Sequence, residues 1–203
     1  DVLFVDAADL AGGTVTGGQG FDSLVVQGTS GITVDLADHA AEWIAAQAAD
    51  EGQQPWFLYL AFNAPHTPMH ALEDDLDAMK TIAPDLRQTY AAMMRSLDRA
   101  VGKITGALSD AEIADDTLVM FFNDNGGATN NGSDNGRYRG MKGSKWEGGI
   151  RVPAAVRWPG RIEPGMDFTP IVSSMDFAAT AVAAAGGAIE GAPPLDGDAR
   201  RQD

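Results

Sequence analysis

The sequence predicts an α/β protein: a sheet with covering helices, preceded by a short β-rich segment. Three observations carry this expectation. Apolar runs at 56–62, 117–122 and 152–158 have the length of strands. Two longer stretches, one before the first run and one after it, repeat apolar residues every three or four positions, as helices do. The opening 32 residues are rich in Gly and β-prone, and the character changes near residue 33. Strand, helix, strand, loop, strand, helix is the order of a sheet layered with helices.

Taken in order, Leu24-Val25-Val26 and Ile32-Thr33-Val34 read as short strands bounded by Gly. Gly17 to Val25 also fits Gly-Gly-x-Gly-x-Asp-x-U-x, the nonapeptide of Ca²⁺-binding β-rolls. Residues 8–16 do not repeat it, and such units need stacked neighbours. A Gly-rich turn between two strands accounts for the same residues. The expected division is a Gly-rich β segment, 1–32, and a second part, 33–203. Leu36, Ala40, Trp43, Ile44 and Ala48 mark an amphipathic helix over 36–49, ended by Gly52 and Pro55. Residues 56–62 are apolar and aromatic throughout and read as a strand buried on both faces, stopped by Pro65 and Pro68. Leu86, Tyr90, Met94, Leu97, Val101, Ile104 and Leu108 describe one long helix.

A second buried strand is expected at 117–122, then a long polar loop over 123–149, rich in Asn and Gly. Residues 152–158 read as a third strand, with Pro153 near its start where Pro is tolerated. Ser173 or Ser174 caps a last helix over 175–185, ended by Gly186-Gly187.

The 203 residues carry 29 Asp and Glu against 14 Lys and Arg, a formal charge of −15. That sign repels nucleic acid and anionic lipid, so no nucleic-acid partner is expected. The longest apolar run, 56–62, falls far short of the roughly 20 residues that cross a bilayer, so no membrane span is expected. Cys is absent, which removes disulfides, thiolate catalysis and Cys-ligated zinc. The absence of Cys leaves the compartment open, since a reduced cytosol and a secreted or periplasmic protein without disulfides both fit, and strong acidity is common in exported or salt-exposed bacterial proteins. The chain opens Asp1-Val2-Leu3 with neither Met nor a basic flank, so a fragment or a processed product is expected.

Three motifs carry chemistry. Asp124-Asn125-Gly126-Gly127 follows a strand, and ligands collect at the carboxyl ends of strands in open α/β sheets. A carboxylate beside an amide oxygen suits a hard cation such as Ca²⁺, and the same residues also suit a plain turn. Ala64-Pro65-His66-Thr67-Pro68 follows another strand; its prolines stiffen the backbone around a His that can donate to an anion or protonate a leaving group. A His satisfied within a loop fits that motif equally. His70 carries less signal, and His39, on the first helix, is read as structural. Arg139, Lys142, Lys145 and Arg151 place four cations in 13 residues of an acidic chain. Charge set against the global sign is what an anionic substrate needs, although Glu147 and Arg151 can pair and simply hold the loop.

Together these motifs are more specific than any one alone. Ala-Pro-His-Thr-Pro, then Asn-Asp-Asn-Gly-Gly, then Lys142-Gly-x-x-x-Glu-Gly-Gly-Ile-Arg-Val-Pro and Arg157-Trp158-Pro159-Gly160 resemble the sulfatase family of the alkaline phosphatase superfamily. The resemblance covers about residues 33–197, including Pro55 to Phe62 and the closing Leu195-Asp196-Gly197. It implies a partial alkaline-phosphatase-like sheet and a sulfuric ester hydrolase. By resemblance, Asp124 and Asn125 match the second pair of ligands to the active-site Ca²⁺, with Mg²⁺ as the alternative ion. His66 and Lys142 match the residues that contact the sulfate. Lys145 falls at a variable position beside them, and Glu147, Gly148, Gly149 and Arg151 match signature residues read as structural.

Two family elements are absent from these residues. There is no Cys, and no Ser is followed by Pro two positions on and Arg four positions on, so nothing here matches the formylglycine-forming Cys/Ser-x-Pro-x-Arg. The first-strand pair of Asp ligands and the early lysine–histidine part of the sulfate pocket are also missing. The expectation is therefore the middle of a sulfatase acting on aryl or carbohydrate sulfate esters and inactive alone. A phosphodiesterase or phosphonate monoester hydrolase of the same superfamily, or a non-catalytic module binding sulfated glycans, fits the same residues. An incomplete sheet also predicts self-association.

Overall fold

The computed structural model describes residues 2–6, 22–27, 33–50, 55–83 and 85–187. The β-roll-like residues 17–21, the helix-ending Gly52 and the closing Leu195-Asp196-Gly197 lie outside the described residues. The chain divides into two compact units, Asp1–Ile113 with Gly127–Asn135, and Ala114–Gly126 with Gly136–Asp203. The α/β class is as expected, with a small sheet in each unit.

In the first unit, strands β1 (Val2–Asp6), β2 (Asp22–Gln27) and β3 (Trp56–Ala61) pair in parallel, in that order. Leu24 stands opposite Leu58 and Val26 opposite Leu60. Parallel neighbours need a crossover, and helix α1 (Thr33–Ala49) supplies it between β2 and β3. The residues expected to begin this helix face do so: Leu36, Ala40, Trp43 and Ile44 are buried, with Ala37. Trp43 also meets Trp56 of β3 edge-on, with ring centroids 5.4 Å apart. Helix α2 (Glu73–Ala78) leads into α3 (Leu86–Asp110), which packs on α1 and buries Met93, Leu97, Ala100 and Leu108. Asp85 caps α3 by accepting from the backbone N–H of Arg87 at 2.7 Å and of Gln88 at 3.3 Å. Lys103 of α3 pairs with Asp38 of α1 beside the apolar seam.

In the second unit, β4 (Val119–Phe122) pairs antiparallel with β5 (Ala154–Arg157), and Asn123 N–H donating to Pro153 carbonyl at 3.3 Å extends the ladder by one bond. Helix α4 (Glu147–Ile150) is a single turn, and α5 (Ser174–Ala184) stacks Phe177 on Phe122 with centroids 4.5 Å apart. Ser173 is the cap: its hydroxyl accepts from Met175 N–H, and Asp176 returns a bond to Ser173 N–H at 2.9 Å.

Several expectations need correction. Thr33 and Val34 open α1 and are not a strand; helical packing overrides the β preference of two β-branched residues. Strand 56–62 is not buried on both faces: β3 alternates, with Phe57 and Tyr59 exposed and Trp56, Leu58 and Leu60 half-buried, so one face is left uncovered among the described residues. Strand β4 is half-buried, and β5 is exposed along its whole length. A two-stranded sheet has too few neighbours to cover both faces. On α3 the buried stripe passes through Met93 rather than Met94, and Leu86 is exposed. The polar loop 123–149 holds a 3₁₀ turn at Thr129–Asn131 and the start of α4.

Candidate anion and cation site

Asp124 and Asn125 sit where β4 stops pairing. The carboxylate is exposed and the amide half-buried, and neither side chain forms a hydrogen bond or ion pair among the described residues. The turn that carries them is fixed by backbone. Gly126 N–H donates to Gly149 carbonyl at 2.9 Å, and Gly148 N–H donates to Arg139 carbonyl at 2.8 Å. A Cβ on Gly126 would strike the carbonyl of Gly148, and a Cβ on Gly148 would strike the carbonyls of Gly140 and Arg139. Three backbone segments therefore meet where no side chain fits: the Asp124-Asn125 turn, α4 and the 139–140 strand of loop.

The same frame presents the lysines. Met141, Lys142, Gly143 and Ser144 form a turn closed by Ser144 N–H donating to Met141 carbonyl at 2.9 Å, with Ser144 hydroxyl accepting from Met141 N–H at 3.1 Å. Gly143 holds φ at +83°, the conformation a type II turn demands of its third residue. Lys142, at the second position, points into solvent, as does Lys145.

The cations of this stretch fall into two groups. Arg137 donates to the Tyr138 hydroxyl at 3.4 Å. Arg139 lies over the Trp146 ring at 3.9 Å. Arg151 donates to Glu147 at 2.8 Å and covers the Tyr138 ring at 4.8 Å. Lys142 and Lys145 have no hydrogen-bond or ion-pair partner among the described residues. The planar guanidinium groups are engaged as struts, and the two ammonium groups are not.

His66 belongs to the first unit. It is exposed, and its Nδ1 lies 2.7 Å from the Thr67 carbonyl. A carbonyl only accepts, so Nδ1 carries the hydrogen and Nε2 is the ring nitrogen without one in the neutral ring. His66 N–H donates to Asn63 carbonyl at 2.7 Å, and the flanking Ala64-Pro65 and Thr67-Pro68 bonds are both cis. The structure thus gathers Asp124, Asn125, Lys142 and Lys145 in one unit and places His66 in the other. His39, read as structural, lies 3.6 Å from Glu42 one turn along α1.

The carboxylate and amide oxygens fit a hard cation in kind and fall short of it in number. Two carboxylate oxygens and one amide oxygen are fewer than the six to eight that Ca²⁺ takes. Among the described residues no group of three or more His, Asp or Glu side chains could complete the set.

Two side chains of the 127–135 arc, in the first unit, and one in the second escaped the sequence reading. Asn135 pairs with both backbone groups of Gly127, at 2.9 and 3.0 Å, and holds the 127–135 arc closed. Ser133 leaves its hydroxyl buried without a hydrogen-bond partner. Trp146 is half-exposed over Arg139. Composition marks this stretch as a loop, and only the folded path tells which Asn closes it.

The sulfatase family model matches residues 14–188. N-acetylgalactosamine-6-sulfatase of Canis lupus familiaris is 36% identical over 173 residues, 83% of this chain and 31% of that protein. Steryl-sulfatase of Mus musculus is 34% identical over 175 residues, 82% of this chain and 26% of that protein. Among solved structures, Ps i-CgsB in complex with k-i-k-neocarrahexaose superposes with a TM-score of 0.78 at 39% identity, over 82% of this chain and 37% of that one. The chain thus spans between a quarter and a third of the length of these curated relatives.

Proposed function

The chain belongs to the sulfatase family, and on that premise we propose that it supplies part of the site of a Ca²⁺-dependent sulfuric ester hydrolase acting on aryl or carbohydrate sulfates. The observation that carries this reading is the sorting of cations. On a frame with its arginines engaged, Lys142 and Lys145 stand free beside a turn that offers oxygen ligands. Lys142 neutralises a sulfate oxygen as a point charge. Asp124 and Asn125 would contribute part of the oxygen set of such a cation, with Mg²⁺ the alternative. When bound, such an ion acts as a Lewis acid on the sulfate oxygens. With its Nδ1–H turned to the Thr67 carbonyl, His66 donates from Nε2 only as the imidazolium, the form that would protonate the leaving group.

These 203 residues contain neither Cys nor a Ser-x-Pro-x-Arg segment, so no formylglycine nucleophile can form within them. We expect the 203-residue chain to bind and not to hydrolyse. Calorimetric titration with CaCl₂ and with inorganic sulfate tests the site. Asp124→Ala should weaken Ca²⁺ binding and Lys142→Ala should weaken sulfate binding, each by about tenfold, as expected for one charged contact. Equal binding by wild type and both variants would remove the assignment. Turnover of an aryl sulfate that Asp124→Ala abolishes would overturn the expected inactivity.

The same pocket chemistry serves a phosphate ester, the reading as a phosphodiesterase or phosphonate monoester hydrolase. Tighter binding of inorganic phosphate than of sulfate would favour it. A further reading is a module that binds sulfated glycan without catalysis, which a glycan titration with no heat would count against. Phe57 and Tyr59 on edge strand β3 support self-association. Sedimentation velocity should show a concentration-dependent dimer, reduced in Phe57→Lys; a monomer at all concentrations would exclude it.

A further inference from the structure

Ser144 grips both backbone groups of Met141, the residue immediately before Lys142. Its N–H donates to the Met141 carbonyl at 2.9 Å, and its hydroxyl accepts from the Met141 N–H at 3.1 Å. An ordinary β-turn is closed by one bond, from the N–H of its fourth residue to the carbonyl of its first. Here the side chain of the fourth residue adds a second bond to the first. Lys142 and Gly143, the two residues between, are exposed.

The hydroxyl that makes this second bond is itself seated. A Cβ on Gly140 would strike Ser144 Oγ, and a Cβ on Gly149 would strike both Oγ and the Ser144 carbonyl. Two residues without side chains leave that crease open, and Oγ fills it. Gly149 is buried, and its own carbonyl accepts from Gly126 N–H at 2.9 Å. An exposed turn is thus pinned, through one serine, to a buried part of the frame. A lysine ammonium rides on a flexible four-carbon stem, so what can be fixed before a ligand arrives is the backbone from which the stem starts.

We propose that Ser144 is a positioning residue for Lys142: its hydroxyl holds the turn in the arrangement from which Lys142 meets a bound anion, and it touches no ligand itself. This rests on the reading of Lys142 as the sulfate contact. Without the hydroxyl the turn is closed by one bond instead of two. The Lys142 stem then starts from several backbone arrangements, and affinity falls by the fraction of them that is competent. The charge of the loop is unchanged, so the loss is one of order and not of attraction.

The test titrates inorganic sulfate into the 203-residue chain as wild type, Ser144→Ala, Lys142→Ala and the double variant, followed by calorimetry. Ser144→Ala should weaken sulfate about fivefold, the worth of one neutral hydrogen bond, with circular dichroism and urea midpoint matching wild type. Ser144→Cys, which keeps the shape and replaces the acceptor by a weak one, should behave like Ser144→Ala. The double variant should bind sulfate no more weakly than Lys142→Ala alone, because a residue that acts through Lys142 has nothing left to position. A merely structural serine would lower the urea midpoint without this dependence on Lys142. Wild-type affinity in Ser144→Ala, or a loss that adds in full to that of Lys142→Ala, would overturn the positioning role while the sulfate contact stands. If Lys142→Ala itself binds sulfate as wild type does, the sulfate reading falls and the positioning role falls with it.

Discussion

Gly148 shows how one residue without a side chain sets the site. Its N–H bonds to the Arg139 carbonyl at 2.8 Å, and the space of its Cβ is taken by two carbonyl oxygens. Gly148→Ala has to push backbone away from backbone, which flexible side chains cannot absorb. The expected cost is about 1–3 kcal/mol, the range for overpacking a tight site. Because α4 is what links the Asp124-Asn125 turn to the lysine loop, sulfate affinity should fall as well, although Gly148 touches no ligand. Urea unfolding and sulfate titration of the same variant check both. Unchanged stability would mean that the loop yields, and that the frame does not hold the lysines. At this scale the sequence is informative about identity and silent about partnership. Four cations in 13 residues are visible in the string of letters. That Arg139 and Arg151 are struts and the lysines are free depends on Trp146, Tyr138 and Glu147 lying beneath the guanidinium groups, which no spacing rule gives.

At the scale of elements, α2 hangs on one buried carboxylate. Asp75 has no exposed surface and accepts from Arg95 and from Arg99, the latter also through its second nitrogen at 2.8 Å. The Arg99 hydrogen bond, foremost, holds the Asp75 carboxyl below its ordinary value of 3.8, against burial, which raises it. A carboxyl with a lowered folded pKa stabilises the fold fully above its unfolded value, near pH 4, and loses that contribution as pH falls through the folded value. Wild type should therefore lose stability below about pH 4, and part of that slope should be missing in Asp75→Asn. At neutral pH the same variant should cost about 2–3 kcal/mol, less than a fully buried pair because both arginines are partly in water. Chemical denaturation at pH 7 and at pH 3.5 measures both, and parallel pH profiles would disprove the clamp. Helix α2 was not legible in advance: six residues, Glu-Asp-Asp-Leu-Asp-Ala, carry no period, and the helix exists through Asp75 reaching α3. Long elements were legible because their periods run for several turns: α1, α3 and α5 lie where the apolar spacing and Ser173 put them. Burial of the strands was not, since an apolar run reports what a strand prefers and not how many neighbours cover it.

For the whole molecule, the formal charge of −15 opposes the ligand that the lysine loop is proposed to take. A sulfated ligand approaches a surface of its own sign, and only the field near Lys142 and Lys145 attracts it. The two effects differ in range. Repulsion from the distributed carboxylates acts over the Debye length, about 30 Å at 0.01 M salt and about 8 Å at 0.15 M. Contact between ammonium and sulfate is shorter than either and is weakened only as salt rises further. Affinity for inorganic sulfate should therefore rise from 0.01 M toward roughly 0.1 M NaCl and fall again toward 1 M, a maximum set by where screening of the long-range term is complete. A basic polyanion-binding protein loses affinity steadily over the same series. Titration at five salt concentrations distinguishes the two behaviours. A steady fall would mean that the carboxylates are too distant to matter and that the local lysine field governs approach as well as contact. A maximum would show the acidic surface acting as a filter, rejecting ligands that meet it anywhere but at the loop.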